Sequence, residues 1–237
     1  MKRPIILTTL LLPLMIYSVL VFRNRDYKIV DKSRIDSLKR NGMKLENYNN
    51  LDDLLKASDR ELIPTLQLDI DSKPAYRYKS DKFSPKLSLN DIRRLIDNPP
   101  KYQYEHQFIE EAILKLNQLG VQIILTDEIS NQISAEWIPS YQFLIINEKL
   151  ISSGTLIFSN VLNHELIHVS QSCFNGSISS SPKLIGLKLI DSEESSHYLS
   201  KEVYDDFSIE MRQIESEAYS YQSNLEIGLS LLNKFCG

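Results

Sequence analysis

Residues 155 to 173 read TLIFSNVLNHELIHVSQSC and contain His164-Glu165-Leu166-Ile167-His168. On a helix, residues four apart leave the axis about 40° from one another, so both imidazoles share a face and can hold one zinc ion. Glu165 lies beside them. Its carboxylate is placed to take a proton from a zinc-bound water whose pKa the metal lowers to about 7, giving a hydrolytic nucleophile at neutral pH. The arrangement needs a helix, and Phe158, Leu162, Leu166, Val169 and Cys173 supply an apolar stripe at helical spacing. Val161, His164, His168 and Gln171 fall on another face, which would be the floor of a cleft. Ser153 or Thr155 can cap the start, and Asn175-Gly176 reads as a left-handed stop.

A catalytic zinc usually has three protein ligands, so the chain must supply a third. From Phe207 to Leu232 there is no proline, and Phe207, Met211, Ile214, Ala218, Tyr221, Leu225 and Leu232 repeat at helical intervals, which predicts one long amphipathic helix. Glu215 and Glu217 flank its apolar stripe, one on each side, so the helical wheel does not choose between them. Cys173 lies five residues past His168, roughly 140° away around the helix, and faces the core instead of the metal. It and Cys236 either pair in an oxidising compartment or are small buried hydrophobes in a reducing one. His106, early in a helix, reads as a surface or packing residue.

The elements that must position these groups begin near Ser88. Ser88 or Asn90 caps a short helix over Asp91 to Asp97, which Asn98-Pro99-Pro100 ends. Tyr104 to Leu119 is a second helix, closed by Gly120. Val121 to Leu125 is a β-branched, apolar run that reads as a buried strand, and Ile133 to Ile138 with Tyr141 to Ile146 reads as a hairpin turning at Pro139-Ser140. The order is helix, strand, hairpin, then the histidine helix.

That order resembles the N-terminal half of a zincin metallopeptidase, and His164 to Gln171, HELIHVSQ, is similar to the HExxHxxQ form of several small zincin families. The segment Ile214 to Gln222, IESEAYSYQ, resembles the second-helix signature of gluzincins, in which a Glu completes the metal site. The resemblance covers about Phe108 to Leu232. It implies an α+β fold with a small mixed sheet, an edge formed by Trp137 to Ile146 that adds an extended substrate to the sheet, and zinc as cofactor. It favours Glu215 over Glu217 as the third ligand. In that signature an Asp or Asn four residues later orients a ligand histidine; here Tyr219 stands there. In related enzymes a His or Tyr donates to the oxyanion, a role that His197 or Tyr198, in the polar stretch Asp191 to Tyr198, could take here.

Residues 1 to 25 form a separate object. Pro4 to Phe22 is an uncharged run of nineteen residues, long enough to cross a bilayer as a helix, between Lys2-Arg3 and Arg23, Arg25. It lacks the small-residue ending of a cleaved signal, which favours a single-pass membrane anchor over a signal segment. Positive charge after the span favours a cytoplasmic body, whereas short N-terminal segments of this kind direct export, so the side stays open. Residues 26 to 85 are polar with short apolar groups and read as a juxtamembrane spacer, with Ser72 to Lys86 a linker; the folded body is then 86 to 237.

A chain of 237 residues with net charge −4 and no basic run interleaved with aromatics argues against a dedicated nucleic-acid binder. The expectation is a membrane-anchored zinc metallopeptidase acting on a peptide or protein. A reading of another class is a membrane-anchored interaction protein that keeps such a fold without cleaving anything; the intact Glu165 weighs against it. A chance motif in an unrelated helical domain is separated by one observation, whether Glu215 or Glu217 lies within ligand reach of both histidines.

Overall fold

The computed structural model of the chain describes residues 32–46, 48–68, 74–78, 87–129, 133–189 and 207–237. The expected anchor at residues 4 to 22, and His197 and Tyr198, lie outside the described residues. No helix among the described residues is long and apolar enough to cross a membrane.

The runs Ile123-Ile124-Leu125 and Phe143-Leu144-Ile145-Ile146 are apolar at consecutive positions, and such strands need cover on both faces of their sheet. The structure provides it. Strands β1 (Met43–Lys44), β4 (Gln122–Thr126), β5 (Ala135–Ile138) and β6 (Phe143–Asn147) form a mixed sheet in the order β1-β4-β6-β5. The β4–β6 pair is parallel, and the other two pairs are antiparallel. Alternate residues then part to opposite faces. Ile123, Leu125, Leu144 and Ile146 join the main core, while Ile124, Phe143 and Ile145 join a smaller one with Ile35 and Leu38.

Ile35 and Leu38 belong to α1 (Lys32–Asn41), and Leu51 and Leu55, both fully buried in the main core, belong to α2 (Asn49–Leu62). This corrects the reading of residues 26 to 85 as a spacer with the body starting at 86. The error has a physical source: a short helix that covers one sheet face buries only two of its ten residues, so its sequence looks polar. Past α2, strands β2 (Thr65–Leu68) and β3 (Pro74–Arg77) pair as an exposed antiparallel ribbon that enters the expected linker.

Helix α3 (Leu89–Asp97) starts at Ser88, whose hydroxyl accepts from the Asp91 N–H, and α4 (Gln103–Gln118) buries Phe108, Ile109, Ala112, Ile113 and Leu116 against the sheet. Gly120 follows at φ +81°, the left-handed conformation expected of the residue closing that helix. The hairpin turns through Pro139–Tyr141 and a left-handed Gln142. Its edge is narrower than expected: β6 lies between β4 and β5, so β5 alone is the sheet margin beside the histidine helix.

The histidine helix is α5 (Thr155–Phe174). The expected single helix over 207 to 232 is two, α6 (Ile209–Tyr221) and α7 (Leu225–Cys236). Apolar periodicity runs through the break because both helices pack on α5. The side-chain amide of Asn163 donates to the carbonyls of Tyr221, Gln222 and Asn224, at 2.9, 3.0 and 3.0 Å, satisfying groups that a continuous helix would bond itself. Gly228 lets α7 approach, since a Cβ there would sit 2.0 Å from Asn163 Oδ1.

Candidate metal centre

Helix α5 runs through the core, and every residue from Leu162 to Ser172 is buried. Its start is fixed from another element. The Asp59 carboxylate of α2 accepts the Thr155 N–H at 2.8 Å and the Thr155 hydroxyl at 2.6 Å, so the cap comes from neither Ser153 nor the Thr155 side chain. His106 joins the same network, with Nδ1 3.1 Å from Asp52 and Nε2 3.4 Å from Thr155 Oγ1, a packing role as expected. At its far end Cys173 is disulfide-bonded to Cys236 of α7, Cα to Cα 5.3 Å.

Midway, His164 and His168 turn their Nε2 atoms to within 3.0 Å of each other. Glu215 reaches in from α6, with Oε2 3.3 Å from His164 Nε2 and Oε1 3.5 Å from His168 Nε2. One ligand atom from each of the three lies within 4.8 Å of the others, and no other group among the described residues converges in this way. The imidazoles keep 8% of their side-chain surface and Glu215 keeps 18%, so solvent reaches the site from the Glu215 side.

Glu217, the alternative ligand, is fully buried and engaged elsewhere. It accepts the amide of Gln171 at 2.9 Å and the backbone N–H groups of Ile185, Gly186 and Leu187 at 3.0, 2.8 and 2.6 Å. Two residues apart on one helix, the two carboxylates face different structures: Glu215 the histidines, Glu217 the strap 185–187. Tyr219 sets its ring against His164, centroids 4.4 Å apart.

Electrostatics within this cluster of side chains are uneven. Burial pushes the Glu165 carboxyl up to about 8, with Glu215 and Glu136 adding to the rise and the His168 charge and the Trp137 backbone opposing it. Burial would lower His168, but the Glu215 carboxylate outweighs it and holds the imidazole at about 9. Burial also acts against Glu215, and the two imidazoles overcome it, keeping its carboxyl well below the usual range. His164 is lowered, chiefly by burial. One oxygen of Glu165, Oε2, is buried without a hydrogen-bond partner.

The donor set fits a zinc ion. Two imidazole nitrogens and a carboxylate oxygen, converging at one point and open to water on one side, are the ligands that a catalytic zinc takes while keeping a fourth position free. The sequence motif identified the two histidine ligands and Glu165 beside them, and left the third ligand between Glu215 and Glu217; the partnership of Gln171 with His168 was hinted at only by their three-residue spacing. No family model, curated protein or solved structure matches the chain.

Proposed function

We propose that this chain is a zinc-dependent peptidase, anchored to a membrane through residues 4 to 22, with its body in an oxidising compartment. One observation carries the reading: His164, His168 and Glu215, from two helices, converge beside a buried Glu165 that has an unpartnered oxygen. The zincin resemblance of HELIHVSQ and IESEAYSYQ supports it, and the pairing of Cys173 with Cys236 supports the compartment.

His164, His168 and Glu215 would hold the metal. Zinc, when bound, supplies Lewis acidity that lowers the pKa of a coordinated water and polarises a carbonyl. Glu165, buried next to His164 with one oxygen unpartnered, accepts a proton on that oxygen from the attacking water and returns it to the leaving amine, acting as base and then acid. Strand β5, paired on one side only among the described residues and packed beside α5, offers backbone groups to an extended peptide.

The test uses the full-length chain in detergent micelles and an internally quenched peptide library. Wild type should carry about one zinc per chain and cleave; Glu165→Gln should keep fold and zinc and lose at least about 100-fold in cleavage. Absence of bound metal in folded wild type sinks the proposal. Bound zinc without cleavage of any peptide would favour the non-catalytic interaction protein instead.

A further inference from the structure

We infer that Gln171 is a positioning residue that fixes which nitrogen of His168 faces the metal, and that Glu217 sets the direction of the Gln171 amide. The inference rests on the zinc reading above. A carboxamide has one donating and one accepting end. The Nε2 end of Gln171 meets two acceptors, the Glu217 carboxylate at 2.9 Å and the Ile214 carbonyl at 3.2 Å. Turning the amide over would set Oε1 against both. Oε1 therefore points to His168 Nδ1, 2.7 Å away, and only an N–H can meet it there.

A neutral imidazole protonated on Nδ1 carries its lone pair on Nε2, the nitrogen that faces His164 and Glu215. Glu217 cannot swing away to release the amide, since three successive backbone N–H groups hold its carboxylate. His164 has no such support: its Nδ1 is buried without a hydrogen-bond partner among the described residues, and the rings of Tyr219 and His168 pack on it without bonding that nitrogen. The orientation of the ligand pair therefore depends on the His168 side, through a chain that runs from the strap 185–187 to Glu217, Gln171 and the imidazole.

The test compares zinc affinity, by chelator competition, in the full-length chain in micelles, wild type against Gln171→Met, which keeps the length and removes the amide. The expected result is 10- to 100-fold weaker binding, the range for removing such a partner from a ligating histidine. Imidazole ¹⁵N spectra of zinc-loaded wild type should show His168 protonated on Nδ1 and metallated on Nε2, a signature that requires no variant to fold. Glu217→Gln should also weaken zinc, because its new NH₂ must face other donors; unchanged affinity there would remove Glu217 from the chain of effects. Wild type that binds zinc, with Gln171→Met within twofold of it or His168 bound through Nδ1, overturns this inference alone. Wild type that binds no zinc overturns the metallopeptidase proposal and this inference together.

Discussion

Replacing Glu215 and Glu217 separately by alanine should produce opposite failures. Read from the helical wheel, whichever carboxylate is not the ligand is a helix-surface residue whose removal costs about 0.5 kcal/mol or less. The structure gives Glu217 a different weight. It is fully buried and accepts four N–H groups, from Gln171, Ile185, Gly186 and Leu187. A hydrogen bond to a charged group is worth about 1.5–3 kcal/mol, and the four are not additive, because Gln171 keeps its bond to Ile214 and water can reach the exposed Gly186. A loss of about 3–5 kcal/mol is the reasonable sum, a large share of a typical domain's stability. Glu215→Ala removes no such anchor. It takes away the carboxylate that faces His168, so in the metal-free fold it lowers stability only below about pH 9, where that pair is formed, and it lowers zinc affinity by orders of magnitude. Urea denaturation in chelator gives the first quantity and zinc competition the second. The reasoning is refuted if Glu217→Ala unfolds within about 1 kcal/mol of wild type, or if Glu215→Ala binds zinc as tightly as the parent.

Metal removal should make stability depend on pH in a defined direction. His168, raised to about 9, contributes stability that is complete below its unfolded pKa near 6.5 and is lost as pH rises through 9. Glu165, raised to about 8, stays protonated when the unfolded chain has ionised, so it too lowers stability as pH rises, from about 4.5 to 8. The urea midpoint in chelator should therefore fall between pH 6.5 and 9, and a flat or rising midpoint counts against the His168–Glu215 pairing. Truncation to residues 86–237 should fail to give a cooperative thermal transition, because it removes Ile35, Leu38, Leu51 and Leu55 from the two cores and large buried side chains are worth about 2–5 kcal/mol each. A sharp melt for the truncated chain would restore the spacer reading. Non-reducing alkylation should find no free thiol, and Cys236→Ser should cost about 2–5 kcal/mol by opening a bridge between residues 63 apart; full labelling of both cysteines in folded protein would contradict the pairing.

What the sequence determined by itself was local chemistry. The spacing of His164 and His168 sets both imidazoles on one helix face wherever that helix lies, and the apolar, β-branched run of β4 announces a buried strand. Ser88 as a cap and Gly120 as a helix closure follow from short-range geometry in the same way. Tertiary structure decided whatever depends on a neighbour distant in sequence. Glu215 and Glu217 flank the same stripe, and only the packing of α6 on α5 turns one toward the histidines and the other toward 185–187. The break between α6 and α7 is invisible in the periodicity because Asn163, on another helix, satisfies the carbonyls that the break exposes. The cap on α5 comes from Asp59, ninety-six residues before Thr155. The place of α1 in the fold rests on two buried side chains whose value appears only when the second face of the sheet is there to receive them. Periodicity reports which face of an element is apolar; it carries no information about which other element meets that face, and the third ligand, the cap and the first helix all depend on that meeting.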